Sequence, residues 1–577
     1  MALPKSSDDY FYYIFIMCGI FVSLSILIIG NIVWLKYYFN LNLSYNNVLS
    51  YMQYLYNIFK NFSPNVATLY FQSLTICFSF SIYIFFVKKN PFTLSLQYSQ
   101  FAQFQHIKKM SPNVLASNGF ALGSFNLGVF KKIILKTNEP LALLCVAPAG
   151  AGKTSGCVIP TILSCDRDCL IINDPKGELY DITHKYRSKI GNVFKMEWSL
   201  PQNQHNETTT FFNPLDYNNL PPDTANRGKA IDTIVNILIK ETKGDAFWTN
   251  SARKTLGAII LYGIYKNELQ QQTFSIADAK DILATIGIKK ESDEEGEDEE
   301  DYGNAESIQI GFIKLSKEIK TLSLPQVIID RCYNIFAENA STSPNTLGSI
   351  LATISASLVV FNNENVRLIT SKNTFCLNDI RGINNKPLSI YLISPAAEQE
   401  LFGVLSAIFV ELAYKFITSQ DLKEIKTKPI VRFILDEVAF FPKISAIIDG
   451  PAIARGYRGS FLFVCQDLSQ IIDKYGAPSL NTMFTNTAFK IILPQNNDET
   501  AKRLASLGGQ RQVKITRGSG KNKSTNKELQ SLITPSDVMS LPSGKQIVFV
   551  QNNAKTPIIC NIPFFFKNKE MLKKLKD

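Results

Sequence analysis

The octapeptide Ala147-Pro-Ala-Gly-Ala-Gly-Lys-Thr154 is the stretch that decides the fold class. An apolar run at 141–146 precedes it and has the composition of a buried strand, and a helix-like segment follows it. A strand, a glycine-containing loop and a helix in this order are typical of a phosphate-binding loop, in which backbone N–H groups point at an anion. The octapeptide therefore predicts a nucleotide site.

The residue types in this loop match that chemistry. Glycines let the backbone wrap the anion, a lysine meets the β and γ phosphates, and the hydroxyl after it binds magnesium. Lys153 and Thr154 supply these two groups, whereas Ala147 stands where the pattern has its first glycine. ATP and Mg²⁺ are the expected cofactors. The predicted nucleotide-binding residues are Ala147, Pro148, Ala149, Gly150, Ala151, Gly152, Lys153, Thr154 and Ser155.

A phosphate loop needs an acidic partner at the end of another strand. The run 431–435 ends in Asp436-Glu437, which fits this requirement. Asp436 is expected to hold magnesium through water, and Glu437 to orient or deprotonate the attacking water. The alternative is an exposed carboxylate pair with no role in catalysis. Two other strand-like runs end in Asp174 and Gln466, and Gln466 is a candidate sensor of the γ-phosphate.

Seven short apolar runs predict a parallel sheet that is buried on both faces. They cover 141–146, 169–172, 388–393, 431–435, 460–464, 488–493 and 546–550. Between 220 and 375 strand patterns nearly vanish, and apolar residues recur at helical spacing. We therefore predict an α/β nucleotide-binding domain in two parts, 111–219 and 376–577, with an all-α domain at 220–375 inserted between them.

Two uncharged runs near the N-terminus, about 11–35 and 66–87, are each long enough to cross a bilayer. A secretory signal fits the first run poorly, because its apolar stretch is too long and Asp8 and Asp9 precede it. Buried core helices are the alternative for both runs, but Lys88 closes the second one abruptly. Two transmembrane helices are the better prediction.

Lysines set the expected orientation, because cytoplasmic flanks carry an excess of basic residues. Four of them follow the second run: Lys88, Lys89, Lys108 and Lys109. Both termini are therefore expected in the cytoplasm. The sequence predicts a membrane anchor at 1–90 and a juxtamembrane linker at 91–110.

Cysteine and histidine usage argues against other kinds of site. The ten cysteines are scattered singly, and the closest pair, Cys165 and Cys169, lacks zinc-ribbon spacing. They indicate buried thiols in a reducing compartment. Only His106, His184 and His205 occur, so a histidine-based metal site or a catalytic triad has little material.

The formal net charge is +11, although the run 291–301 alone holds nine acidic residues. That run predicts a disordered, solvated loop within the helical region. The rest of the chain is more basic still, which suits an anionic partner. Lysines near anionic lipid headgroups would explain the same charge.

A second basic feature is a stretch rich in glycine and serine that has no acidic residue up to Lys527. It could contact a nucleic-acid backbone, because phosphate contacts need only mobile cations. It could equally be a surface loop without a partner. Its basic residues are Arg511, Lys514, Arg517, Lys521, Lys523 and Lys527.

Ten motifs occur in an order that is informative. They are Ala147-Pro-Ala-Gly-Ala-Gly-Lys-Thr154, Val158-Ile-Pro-Thr-Ile-Leu163, Asp174-Pro-Lys-Gly-Glu178, Phe212-Asn-Pro-Leu-Asp216, Phe247-Trp248, Ser251-Ala-Arg253, Ser389-Ile-Tyr-Leu392, Leu435-Asp-Glu437, Phe461-Leu-Phe-Val-Cys-Gln466 and Leu532-Ile-Thr-Pro-Ser-Asp-Val538. Across nearly its whole length the chain resembles the type IV secretion coupling proteins of the VirD4/TraG family.

The resemblance implies a RecA-like P-loop domain interrupted by an all-α domain, two transmembrane helices in the bacterial inner membrane with a short periplasmic loop between them, and a homo-hexamer. It implies a ring that passes relaxase-DNA complexes, effector proteins or both to other components of the secretion system. No residue pattern indicates reading of the base sequence, so any DNA binding is expected to be independent of sequence. Lys153, Thr154, Asp436, Glu437 and Gln466 match the family's nucleotide motifs. Such rings take an arginine from the neighbouring subunit, for which Arg455 and Arg458 are the candidates.

Other functions stay open at this stage. An FtsK-type DNA translocase shares the RecA-like core, and a docking receptor that does not hydrolyse ATP would need only the binding surfaces. The segment Leu507-Gly-Gly-Gln510 is similar to a transporter ATPase signature, but it follows Asp436 instead of preceding it. We interpret Gly508 and Gly509 as a turn.

Overall fold

The computed structural model of the chain describes residues 99–127, 132–241, 246–286, 304–394, 396–517 and 524–576. All of the described residues belong to one compact unit of the chain. The predicted spans at 11–35 and 66–87 and the predicted acidic loop at 291–301 lie outside the described residues, as do Lys521 and Lys523.

Thirteen strands are found among the described residues. They are β1 Phe120–Asn126, β2 Lys132–Thr137, β3 Ala142–Val146, β4 Cys169–Asp174, β5 Asn192–Glu197, β6 Leu388–Ile393, β7 Val431–Leu435, β8 Gly459–Cys465, β9 Thr487–Ile492, β10 Gln510–Arg517, β11 Ser524–Ser531, β12 Lys545–Val550 and β13 Ile558–Asn561.

Eleven of these strands form one sheet in the order β2-β1-β13-β12-β9-β3-β8-β7-β4-β6-β5. Each neighbouring pair from β9 to β5 is parallel. The pairs from β9 out to β2 are antiparallel. The remaining two strands, β10 and β11, pair with each other in a separate antiparallel hairpin. The main sheet is therefore mixed, with a parallel block from β9 to the edge strand β5 and an antiparallel block from β9 to the other edge strand, β2.

The helices surround this sheet. The described α-helices are Phe104–Lys108, Ile159–Ile162, Glu178–Ile190, Thr224–Leu238, Ala246–Leu269, Ile276–Thr285, Asn304–Thr321, Gln326–Ser341, Pro344–Ser357, Glu364–Ile369, Gln399–Ser419, Ser445–Ile448, Gly450–Ile453, Leu468–Tyr475, Ala477–Asn486, Asp498–Ala505, Pro535–Met539 and Lys569–Lys576. No strand occurs in the described residues between β5 and β6.

Side-chain alternation along the central strands divides the core between two faces. On β3, Leu144 and Val146 pack into a cluster that continues through the helices of residues 224–369. Leu143 and Cys145 point the other way and pack against the helices that follow β3 and β4. Both faces of the strand are fully buried. This explains why the central strands are continuous apolar runs without polar alternation.

All seven predicted strands are confirmed, with bounds within a few residues of those expected. The expectation of a wholly parallel sheet is wrong at one side, where β12 runs antiparallel to β9. Sequence patterns missed β1, β2, β5 and β13, which lie toward the two sides of the sheet, and the β10–β11 hairpin. The division into domains stays a prediction, because the helical region and the sheet form one compact unit.

One described helix, Gln399–Ser419, passes a length and hydropathy test for crossing a membrane. Most of its residues are buried, and they pack in the core cluster that covers one face of the sheet. Burial of this kind is expected of a core helix in a large α/β fold.

Candidate nucleotide site

The candidate site forms where four neighbouring parallel strands end. The sheet contains four adjacent parallel strands in the order β3, β8, β7 and β4, so their carboxyl ends meet at the same edge. The phosphate loop leaves β3, Asp436 and Glu437 leave β7, and Gln466 leaves β8, which lies between them. The sheet thus brings together residues that lie about 300 positions apart in the sequence.

The loop has the backbone conformation expected of a phosphate cradle. Gly150 and Gly152 have φ angles of 76° and 90°, which residues with a Cβ rarely adopt. Ala147 has no positive φ, and its N–H donates to the Cys465 carbonyl at 3.0 Å. Replacement of the first glycine by alanine is therefore compatible with this loop. A π-helical turn, Thr154–Val158, follows and leads into the helix Ile159–Ile162.

Two contacts join the loop to the acidic pair. The Lys153 ammonium lies 2.8 Å from Glu437 Oε2, and the Thr154 hydroxyl donates to Asp436 Oδ2 at 3.4 Å. The Asn173 side chain donates to the Asp436 backbone carbonyl at 3.1 Å and so fixes the end of β7 against β4. The structure thus places Lys153, Thr154, Asp436 and Glu437 together, as predicted.

The acidic pair is buried, which excludes the alternative of exposed carboxylates. Asp436 is 7% exposed and Glu437 is 4% exposed. Asp436 Oδ1 and Glu437 Oε1 have no hydrogen-bond partner in the described structure. Burial raises the pKa of Asp436 to about 6, and the nearby Lys153 charge opposes this rise. Two buried oxygens that lack a donor are suited to bind water or a cation.

Glu437 is also held in an unusual backbone conformation. Its φ is 69°, in the left-handed region that costs a residue with a side chain roughly 1–2 kcal/mol. The segment after it is fixed by the buried Tyr475 hydroxyl, which donates to the carbonyls of Val438 and Phe441 at 2.7 and 2.9 Å. Conformational strain of this kind is concentrated at functional sites.

Asp174, the first residue of the motif Asp174-Pro-Lys-Gly-Glu178, belongs to this edge as well. It is fully buried at the end of β4, and one oxygen accepts from the Tyr180 N–H at 2.8 Å. The other, Oδ1, has no partner in the described structure. Burial raises the pKa of Asp174 to about 6, and Asp174 in turn raises the pKa of Asp436. The two carboxylates therefore share one electrostatic environment.

The donor set suits magnesium that is bound jointly by protein, phosphate and water. Among the described residues no group of three or more histidine, cysteine, aspartate or glutamate side chains could hold a metal by itself. Magnesium commonly uses one or two carboxylates, phosphate oxygens and several waters. The Thr154 hydroxyl and the unpartnered Asp436 Oδ1 would supply the protein's share of such a site.

The two arginine candidates lie elsewhere. Arg455 and Arg458 precede β8, at the amino end of the strand, whereas the phosphate loop is at the carboxyl ends. Arg455 is exposed, and Arg458 Nε donates to the Lys428 carbonyl at 2.8 Å. Neither arginine therefore belongs to the phosphate site of its own subunit. An arginine finger at either position requires a second copy of the chain.

The basic stretch is a hairpin and not a loop. Arg511, Lys514 and Arg517 lie on β10, and Lys527 lies on β11. In the register of the hairpin, position 514 is directly opposite position 527. The side chains of Arg511 and Lys527 are exposed. Of the two glycines interpreted as a turn, Gly508 ends the 3-10 helix Ser506–Gly508, and Gly509, with a φ of 63°, connects that helix to β10.

A phosphate cradle on a parallel sheet that faces buried carboxylates on a nearby strand defines the P-loop class of α/β proteins, and this sheet is similar to that of RecA-like members. The chain belongs to the Type IV secretory system Conjugative DNA transfer family, whose model matches residues 112–577. The resemblance to the VirD4/TraG coupling proteins is thereby confirmed.

Curated relatives agree with this assignment. Protein VirD4 of Rhizobium radiobacter is 26% identical over 386 residues, which make up 66% of this chain and 50% of the relative. Conjugal transfer protein TraG of Escherichia coli is 24% identical over 456 residues, or 74% of this chain and 66% of the relative. The chain thus spans about half the length of the VirD4 protein and about two thirds of TraG.

Solved structures show the same fold. The plasmid coupling protein TrwB in complex with ADP and Mg²⁺ has a TM-score of 0.54 and 14% identity, and the match covers 81% of this chain and 94% of TrwB. TrwB in complex with a non-hydrolysable ATP analogue also has a TM-score of 0.54, at 15% identity. At these identities the likeness concerns the fold alone.

The left-handed backbone at Glu437 generates a stability prediction. Glu437→Gly and Glu437→Ala both delete the carboxylate, but only glycine relieves the strain. The glycine variant is expected to be more stable than the alanine variant by about 1 kcal/mol, measured as the difference in their unfolding midpoints in urea. At Asp436, where φ is not positive, the order of the two substitutions should reverse. Equal stability of the Glu437 variants would show that the strain is absent.

Proposed function

We propose that the chain is a membrane-anchored ATPase that couples ATP hydrolysis to the transfer of DNA, protein or both through a type IV secretion channel. The observation that carries this proposal is the pairing of Lys153 and Thr154 with the buried Glu437 and Asp436 across the sheet edge. Membership of the conjugative DNA transfer family supports the transport role. The TrwB complexes with ADP, Mg²⁺ and an ATP analogue support the choice of nucleotide.

The geometry suggests how the residues divide the work. The triphosphate binds the N–H groups of the loop and competes with Glu437 for the Lys153 ammonium. Released from Lys153, the Glu437 carboxylate orients the attacking water and accepts its proton. Gln466 follows the strand between these two elements, which supports assigning its side chain to sensing of the γ-phosphate. The Thr154 hydroxyl and, through water, Asp436 would hold Mg²⁺, which neutralises charge on the phosphates when it is bound.

Removal of either member of the pair should stop turnover for different reasons. Lys153→Ala deletes a cation that contacts the phosphates and should weaken ATP binding as well as hydrolysis. Glu437→Gln keeps the shape but removes the base, so ATP should still bind while kcat falls about 10²- to 10⁴-fold. The measurement is steady-state hydrolysis and equilibrium ATP binding by the full chain in detergent, with and without DNA.

Controls separate chemistry from folding. Thr154→Ser keeps the hydroxyl and should retain activity, whereas Thr154→Val should lose the response to magnesium. Lys423→Ala, an exposed lysine on another surface, should behave like the wild type. If the chain binds ATP but Glu437→Gln leaves its slow rate unchanged, a docking receptor that does not hydrolyse ATP becomes the better account.

Assembly into a homo-hexamer is part of the proposal, because Arg455 and Arg458 lie at the sheet edge opposite the loop. Chains with Arg455→Ala or Arg458→Ala should bind ATP but turn it over slowly. Mixing them with Lys153→Ala chains should restore part of the activity, since the second chain supplies an arginine to an intact loop. Arg167→Ala, another exposed arginine, is the matched control. Failure of mixing to restore activity would reject both candidates.

The membrane anchor and the cargo complete the proposal. Residues 1–90 supply a two-pass anchor in the inner membrane with both termini in the cytoplasm. Resistance of the chain to extraction with alkaline carbonate would test whether it is an integral membrane protein. The cargo is DNA with its relaxase, an effector protein or both, handed to other secretion components in that membrane. DNA contacts are expected on phosphates, without reading of the base sequence.

DNA binding by the hairpin should depend strongly on salt. Arg511→Ala combined with Lys527→Ala removes two exposed cations, so the plot of log affinity against log salt should flatten by about 0.9 for each lost duplex contact. The loss should be the same for unrelated DNA sequences, as measured by fluorescence anisotropy. The matched control is Lys423→Ala combined with Lys426→Ala, which likewise removes two exposed cations but from another part of the chain. Equal binding by the two double variants would exclude the hairpin.

A further inference from the structure

An aromatic segment from the end of the sheet lies against the phosphate loop. After β13, the Ile562 N–H donates to the Gly544 carbonyl at 2.8 Å, and the chain turns at Phe565–Lys567. The sequence there reads Ile562-Pro-Phe-Phe-Phe566. None of the ten sequence motifs includes this segment. It lies near the C-terminal end of the described residues, about 400 positions after the loop that it contacts.

The contact with the loop is close enough to require glycine. A Cβ on Gly152 would lie 2.7 Å from Phe564 Cε1, and a Cβ on Gly156 would lie 2.2 Å from Ile562 Cγ2. Gly156 belongs to the first turn after the loop, so the segment covers the side of that turn. Phe564 is therefore held beside the loop that would bind the phosphates of a nucleotide.

The three phenylalanine rings of this segment differ in their exposure and in their contacts. Phe565 is partly buried and packs against the core. Phe564 and Phe566 stack on each other with centroids 5.1 Å apart and planes at 27°. Phe566 is 48% exposed, and the Lys567 ammonium lies 5.2 Å from the Phe564 centroid and 5.9 Å from that of Phe566. A stacked pair with one exposed ring, bordered by a cation, offers a surface for another flat aromatic group.

A nucleotide bound at the loop would bring such a group. Its phosphates are fixed by the backbone N–H groups of the loop and of the helix start, so its ribose and base must lie over the surface beside them. Stacking on an aromatic ring accepts any base, because every base has a π-face. The alternative occupant of the exposed ring is a neighbouring copy of the chain.

We propose that the stacked pair Phe564 and Phe566 forms the base subsite of the nucleotide site, with Phe566 as the ring that the base contacts. This inference rests on the proposed ATPase function. It assigns the C-terminal segment a binding role and predicts little discrimination between adenine and guanine. Lys567 adds a positive charge at the border of the subsite.

The test compares a ligand that has a base with one that lacks it. Isothermal titration of the full chain in detergent measures binding of ATP and of inorganic tripolyphosphate. Phe566→Ala should weaken ATP binding roughly 5- to 100-fold and leave tripolyphosphate binding unchanged, since it deletes only a stacking contact. Phe566→Trp should keep ATP affinity, and its added indole emission should be quenched by ATP but not by tripolyphosphate.

Two controls separate this inference from the proposed function. Tyr217→Ala removes another exposed aromatic ring and should change neither affinity. Lys153→Ala should weaken both ligands. If Phe566→Ala weakens the binding of ATP and tripolyphosphate equally, the ring only supports the loop. If it weakens neither, the exposed ring contacts a neighbouring copy of the chain instead of a base. Either result overturns the base subsite. A wild-type chain that binds neither ligand would overturn the ATPase proposal itself.

Discussion

The adjacency of β3, β8 and β7 in a parallel block is the constraint on which the site depends. Parallel strands carry their loops to one edge, so the phosphate loop and the Asp436-Glu437 pair must face each other once these three strands pair. The connecting chain is free to be long, and here it contains the whole helical region. Insertions between the strands therefore change the surroundings of the site without changing its geometry.

The buried carboxylates at that sheet edge lower the stability of the fold in the absence of a ligand. Asp174 and Asp436 are buried carboxylates with raised pKa values, and each has an oxygen without a partner in the described structure. Glu437 adds a strained left-handed backbone conformation and a carboxylate with one oxygen that lacks a partner. The Lys153 ammonium pairs with the other oxygen of this carboxylate. An excess of buried negative charge over positive charge is costly to fold, and it is relieved by a ligand that brings cations and hydrogen-bond donors.

Sequence patterns predicted most of this site, because its residues are local signals at the ends of apolar strands. The loop, Asp436, Glu437 and the central strands were all visible from composition and spacing. The outer strands were not, since β2 and β5 are partly exposed and lack the continuous apolar pattern. Asp174 was predicted as a strand end and as part of a family motif but not as a member of the site, and Phe564 and Phe566 were missed entirely. Their proximity to the loop depends on the pairing of β13 with β12, which no local pattern encodes.

The order of elements along the chain has a consequence for biosynthesis. The phosphate loop is made early, but its flanking cover, Ile562–Phe566, follows by roughly 400 residues, and β1 cannot pair with β13 until that strand has left the ribosome. At about 5–20 residues per second this delay amounts to roughly 20–80 seconds. A nascent chain would therefore expose an unfinished nucleotide pocket for that period. Until β13 pairs, the phosphate loop lacks the packing that Phe564 and Ile562 provide beside Gly152 and Gly156.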